Sequence, residues 1–153
     1  MYHQHPVEVL EPGAVADLPE TDTLLVQVTS RALFEQAHIP GAVLIEPAEL
    51  VCGIPPASGK LPSAAQIAAT LSRVGYQPEQ RIIAFDDEGG GWAGRLFWTL
   101  DVIGHYDWAY LDGGLHAWHA AGLQLAQGFS SPAPAEPCEI TIDTAPIAEI
   151  ADV

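Results

Sequence analysis

Short apolar runs of strand length alternate along the chain with stretches whose apolar residues recur at helical spacing. LLVQV at 24–28 reads as a buried strand, and a helix is expected from Ser30, its N-cap, to Gln36. The HIPG turn at 38–41 ends that helix, and AVLI at 42–45 follows as a second short strand. GIPPASGKLP at 53–62 has the composition of a surface loop. Pro62-Ser63 then opens a helix with Ile67, Leu71 and Val74 on its apolar face and Gly75 at its end. RIIAF at 81–85 is the clearest strand, and a helix over 92–103 carries Leu96, Phe97, Leu100 and Ile103 on one side. DWAYL at 107–111 predicts a further strand, and 115–121 a helix stopped by Gly122. Strands alternating with helices predict an α/β fold, a small doubly wound parallel sheet with helices on both faces.

From about Gln124 the pattern fades. QGFSSPAPAEPC at 127–138 reads as an extended linker, and EITI at 139–142 alternates like an edge strand. The expected organisation is one domain over 1–123, followed by a Pro/Ala-rich linker over 124–153.

Composition narrows the partners. Twenty acidic residues against five basic ones give a formal charge of −15, and Arg31, Lys60, Arg73, Arg81 and Arg95 are scattered. Nucleic acid and anionic membranes need clustered Lys and Arg, so neither is an expected partner. No run approaches the ~18 apolar residues of a membrane span, and MYHQHPVEVL lacks the features of a secretory signal. A cytoplasmic location is expected. Cys52 and Cys138 are too few for a disulfide framework, and neither has a cation nearby in sequence to activate it.

Chemistry concentrates after the 81–85 strand, in DDEGGGWAGR. Asp86 sits where the strand ends, and Gly89, Gly90 and Gly91 let backbone N–H groups converge at the next helix, a geometry that suits an anion. Asp86, Asp87 and Glu88 would repel that anion; alternatively, these acids cap the helix. A P-loop reading fails, because Gly53 and Gly59-Lys60 are separated by one residue too many, Leu61 replaces Ser or Thr, and Pro55-Pro56 remove donors. Asp86 as the nucleophile of a Mg²⁺-dependent phosphotransferase is a weaker alternative. His116 and His119, or His3 and His5, are spaced to share a metal but lack an evident third ligand, so no metal or cofactor is implied. Phe97, Trp98, Trp108 and Trp118 are expected in the core.

HIPGA at 38–42, RIIAFDDEGGGWAGRLFW at 81–98 and LDGGLHAW at 111–118 together resemble the rhodanese family, in matching order and spacing over about residues 7–123. The resemblance implies a small doubly wound α/β domain whose catalytic cysteine follows the central strand and heads a loop cradling a persulfide. Asp86 stands at that position, and a carboxylate cannot accept and pass on sulfane sulfur as a thiolate can. Gln27 and Thr29 replace the family's frequent Asp-x-Arg. The exchange looks like the N-terminal, non-catalytic half of tandem-domain thiosulfate sulfurtransferases. The whole protein is then expected to carry sulfur from thiosulfate to cyanide or another thiophile, this half being inactive scaffold and interface. Asp86, Asp87, Glu88, Gly89, Gly90, Gly91 and Arg95 would form a pseudo-active-site loop. The expected partner is a C-terminal rhodanese domain, with self-association in its absence. The rival reading is a stand-alone, non-catalytic rhodanese-like binding or regulatory module.

Overall fold

A computed structural model describes residues 7–147. Five parallel strands form the sheet: β1 (Val9–Leu10), β2 (Thr23–Val28), β3 (Val43–Ile45), β4 (Arg81–Asp86) and β5 (Trp108–Leu111), in the spatial order β1-β5-β4-β2-β3. The helices are α1 (Pro12–Ala16), α2 (Arg31–Gln36), α3 (Ala64–Arg73), α4 (Gly91–Val102) and α5 (Gly114–Ala120), with a 3-10 turn at Pro47–Leu50.

The period-2 alternation of the strands splits the core into two layers. Leu24, Val26, Ile82, Ala84 and Trp108 pack with Ile67 and Leu71 of α3 and Leu96, Phe97 and Leu100 of α4. Ile83, Phe85, Ala109 and Leu111 pack on the opposite face with Val15 of α1 and Trp118 of α5. The doubly wound α/β fold is therefore as the sequence predicts. Helix starts are set by side chains as well: Ser30 accepts from Leu33 N at 3.2 Å and Ser63 from Gln66 N at 3.1 Å. Phe97, Trp108 and Trp118 are core residues, and Trp98 is half-buried.

Three elements were not expected: β1, α1 and the 3-10 turn at Pro47–Leu50. β1 has two residues and α1 opens on Pro-Gly, too little for periodicity to register.

The segment after 124 behaves differently from a free linker. It is extended, but His38 and Ala126 form an antiparallel bridge, Ser72 Oγ donates to Ala135 O at 2.7 Å, and Asp143 N donates to Val102 O at 2.7 Å. The strand expected at 139–142 is absent. Cys138 and Ile140 pack on the α3/α4 layer, which carries this segment over the helices and away from both sheet edges. A strand ladder needs an open edge, and the segment does not reach one.

The sheet's connectivity reverses between β2 and β4. From β2 the chain moves outward to β3, whereas from β4 it moves the other way to β5. In open α/β sheets the functional crevice lies at such a switch point, beyond the carboxyl ends of the strands.

Candidate functional site

Asp86 is the last residue of β4, and its side chain turns inward. Oδ1 accepts from Glu88 N at 3.0 Å and from Gly90 N at 2.7 Å, while Oδ2 accepts from Ala93 N at 2.7 Å. The carboxylate is 7% exposed. Gly89 and Gly90 adopt φ of +77° and +101°, a left-handed backbone that bends the loop around the carboxylate at little steric cost. Ala93 lies in the first turn of α4, where N–H groups lack helical partners and the dipole favours negative charge. Of the three glycines expected to converge, Gly90 supplies a donor, Glu88 N and Ala93 N supply the others, and the acidic side chain at the head of the loop occupies all three.

Beside this filled cradle lies a cavity of about 370 Å³, lined in part by Asp86 itself. Gln27, near the end of β2, and Thr29, just past it, line the cavity. Phe85, Asp86, Asp87 and Gly89 form one wall, and Tyr110, Gly113, Gly114, Leu115 and His116 the other. The Gly113-Gly114 pair makes that second wall possible. Both residues have positive φ, and a Cβ on Gly114 would press on Asp86 O and Phe85 Cδ2 at 3.3 Å each. The Tyr110 phenol is raised above its ordinary pKa by burial first, then by the charges of Asp86 and Asp112.

The sequence-predicted loop is thus only partly one site. Asp86, Asp87 and Gly89 meet at the cavity, and Gly90 donates within the cradle. Glu88 contributes its backbone N–H, and its side chain is exposed. Gly91 is the first residue of α4. Arg95 points elsewhere. Its Nε donates to Leu50 O at 2.9 Å, its guanidinium lies 4.6 Å from the Trp98 ring centroid, and it lines a separate cavity with Lys60.

Burial lowers the Arg95 pKa, and the Cys52 charge opposes that shift. Arg95, distant in sequence, thus lies within electrostatic reach of Cys52, because the 52–60 loop folds back toward α4. Both cysteines are free. His116 and His119 are exposed, and among the described residues no three His, Cys, Asp or Glu side chains cluster as a metal site. His3 and His5 lie outside the described residues. Among the described residues no helix is long and apolar enough to cross a membrane.

Gln27 and Thr29 entered the sequence reading only as departures from a motif. Their signal was a polar pair flanking Val28 at the end of an otherwise apolar strand.

A rhodanese-like domain model matches residues 11–121. The thiosulfate sulfurtransferase of Pseudomonas aeruginosa is 44% identical over 125 residues, covering 81% of this chain and 46% of that protein. The thiosulfate sulfurtransferase of Azotobacter vinelandii is 42% identical over 126 residues, covering 82% and 46%. The chain thus spans about half the length of these curated relatives. The crystal structure of the 3-mercaptopyruvate sulfurtransferase SseA from Escherichia coli superposes with a TM-score of 0.82 at 21% identity, covering 96% of this chain and 60% of that one. The five-stranded parallel fold, the switch-point loop and these matches place the chain in the rhodanese family, related to the thiosulfate and 3-mercaptopyruvate sulfurtransferases.

Proposed function

We propose that this domain is the non-catalytic half of a two-domain thiosulfate sulfurtransferase. The whole protein would transfer sulfur from thiosulfate to cyanide or another thiophile through a cysteine persulfide on a second rhodanese domain. This half would act as scaffold and as one side of the interface. The observation that carries the reading is the Asp86 carboxylate seated on Glu88 N, Gly90 N and Ala93 N. Those donors cannot stabilise a persulfide anion while a carboxylate holds them, and a carboxylate has no sulfur with which to form one. Relatives about twice this length support a second domain. Two free cysteines suit the reducing cytoplasm.

The phosphotransferase alternative loses ground on the same geometry, because both Asp86 oxygens are hydrogen-bonded and the carboxylate is buried. The test is to incubate the purified chain with thiosulfate and record its intact mass and its cyanide-dependent thiocyanate formation. No added sulfur and no turnover are expected. A persulfide on Cys52 or Cys138 that cyanide discharges catalytically would overturn the proposal.

A further inference from the structure

Five basic side chains serve a chain with twenty acidic ones, so every cation has carboxylates to choose from. Arg31 pairs with Glu35, Arg73 with Glu49, and Arg81 with Glu8 and Asp107. Arg95 is half-buried, yet among the described residues no carboxylate pairs with it. Its Nε donates to Leu50 O at 2.9 Å and its guanidinium lies over the Trp98 ring, so neutral groups hold the side chain in place. The Cys52 thiol, within electrostatic reach, donates instead to Ala57 O at 3.4 Å in its own loop. A partly desolvated charge without a counter-ion costs stability that a bound anion would return.

The surroundings show where such an anion fits. Arg95 and Trp98 line a cavity of about 460 Å³ between α4 and the 52–60 loop. Arg95 Nη2 is sealed from solvent without a partner, whereas Nη1, equally unpartnered, keeps access to it. Lys60, exposed at the rim, adds a second positive charge, and no acidic side chain lines the cavity among the described residues. The cavity beside Asp86, by contrast, carries the carboxylates of Asp86 and Asp87. The rest of the Arg95 cavity is largely apolar, formed by Ala57, Leu61, Ile147 and the Trp98 ring. A bare inorganic anion would leave that surface unmatched, while a carboxylate on an apolar body matches both parts. The net charge of −15 opposes anions at long range, so affinity rests on the two local cations.

We infer that this cavity binds a small organic carboxylate, its charged end on Arg95 Nη1 and the Lys60 ammonium and its apolar or aromatic body against Trp98, Leu61 and Ile147. The site is separate from the Asp86 cradle, and the inference does not depend on the sulfur-transfer reading.

The experiment is an NMR titration of the full chain with benzoate, followed at the Gly59 and Leu61 amides and at the Trp98 indole N–H, which donates to Pro146 O at 2.9 Å. Benzyl alcohol, which has the ring without the charge, and sulfate, which has charge without the ring, serve as comparison ligands. Saturable shifts confined to the cavity are expected with benzoate, with affinity at least about tenfold weaker for both comparison ligands. Arg95→Gln should weaken benzoate by about tenfold. Lys60→Gln removes an exposed charge with little risk to folding and should weaken it by about threefold. Should Arg95→Gln fail to fold, Lys60→Gln decides. Non-saturating shifts, equal binding of benzyl alcohol or of sulfate, or unchanged affinity in Lys60→Gln would each overturn the inference.

Discussion

The two ends of the sheet handle buried polar groups in opposite ways. At the amino end the polar groups close on one another. Tyr76 Oη pairs with His105 Nδ1 at 2.7 Å, His105 Nε2 with Asp107 O at 3.1 Å, and Trp108 Nε1 donates to Asp101 Oδ1 at 2.8 Å. Since Asp107 O can only accept, His105 carries its proton on Nε2 and Nδ1 accepts from the phenol. At the carboxyl end Asp86 is fully satisfied, but Gln27 and Thr29, on the adjacent strand, are not. Satisfied burial holds the fold together, whereas unsatisfied burial is stability given up.

The largest effect should come from emptying the cradle. Asp86→Ala leaves the buried Ala93 N and the part-buried Glu88 N and Gly90 N without an acceptor, and a loss of roughly 2–4 kcal/mol is expected by urea denaturation. Asp86→Asn keeps one acceptor oxygen but turns an amide donor toward one N–H, so about half that loss is expected. A variant lacking the carboxylate with unchanged stability would mean that the cradle is not held by this side chain.

The amino end is tested next by Tyr76→Phe, which strands His105 Nδ1 in the core at a cost of about 1–3 kcal/mol. The same residue makes stability depend on alkaline pH. Burial, reinforced by the negative charges of Cys138 and Glu79, pushes the Tyr76 phenol up to about 12. A raised folded-state value means that the native protein holds the proton more tightly than the unfolded chain. The contribution is therefore complete below about pH 10 and is lost as pH rises from there through about 12, at up to ~1.4 kcal/mol per unit. Denaturation curves at successive alkaline pH values should show a steeper fall for wild type than for Tyr76→Phe. Parallel falls would remove Tyr76 from the account.

How much of this was legible beforehand differs between fold and site. The apolar runs at 24–28 and 81–85 and the apolar stripe of α4 are strong local signals, and the structure keeps them within a residue or two. Val9–Leu10 was too short to register, and EITI alternated correctly but lies over helices. Neither outcome is encoded locally, because each depends on where distant chain arrives. In the site, the position of Asp86 and the converging donors could be read from strand, acid and glycines. That the carboxylate turns inward rather than repelling a ligand could not, since the residue types allow both. Gln27 looked like a departure from a motif until Ala37 was seen to take its nitrogen and leave its oxygen bare.

The smallest expected effect bears most directly on the contrast between the two ends. Thr29→Val replaces a buried hydroxyl that has no partner with a methyl group of similar shape. Removing an unpaired polar atom without opening a cavity should leave stability unchanged or raise it by about 0.5–1 kcal/mol, the reverse of the loss at Tyr76. Thermal melts of both proteins should show the variant level with wild type or ahead of it. If Thr29→Val is destabilised by more than about 1 kcal/mol, the hydroxyl is doing structural work, and the two ends are alike after all.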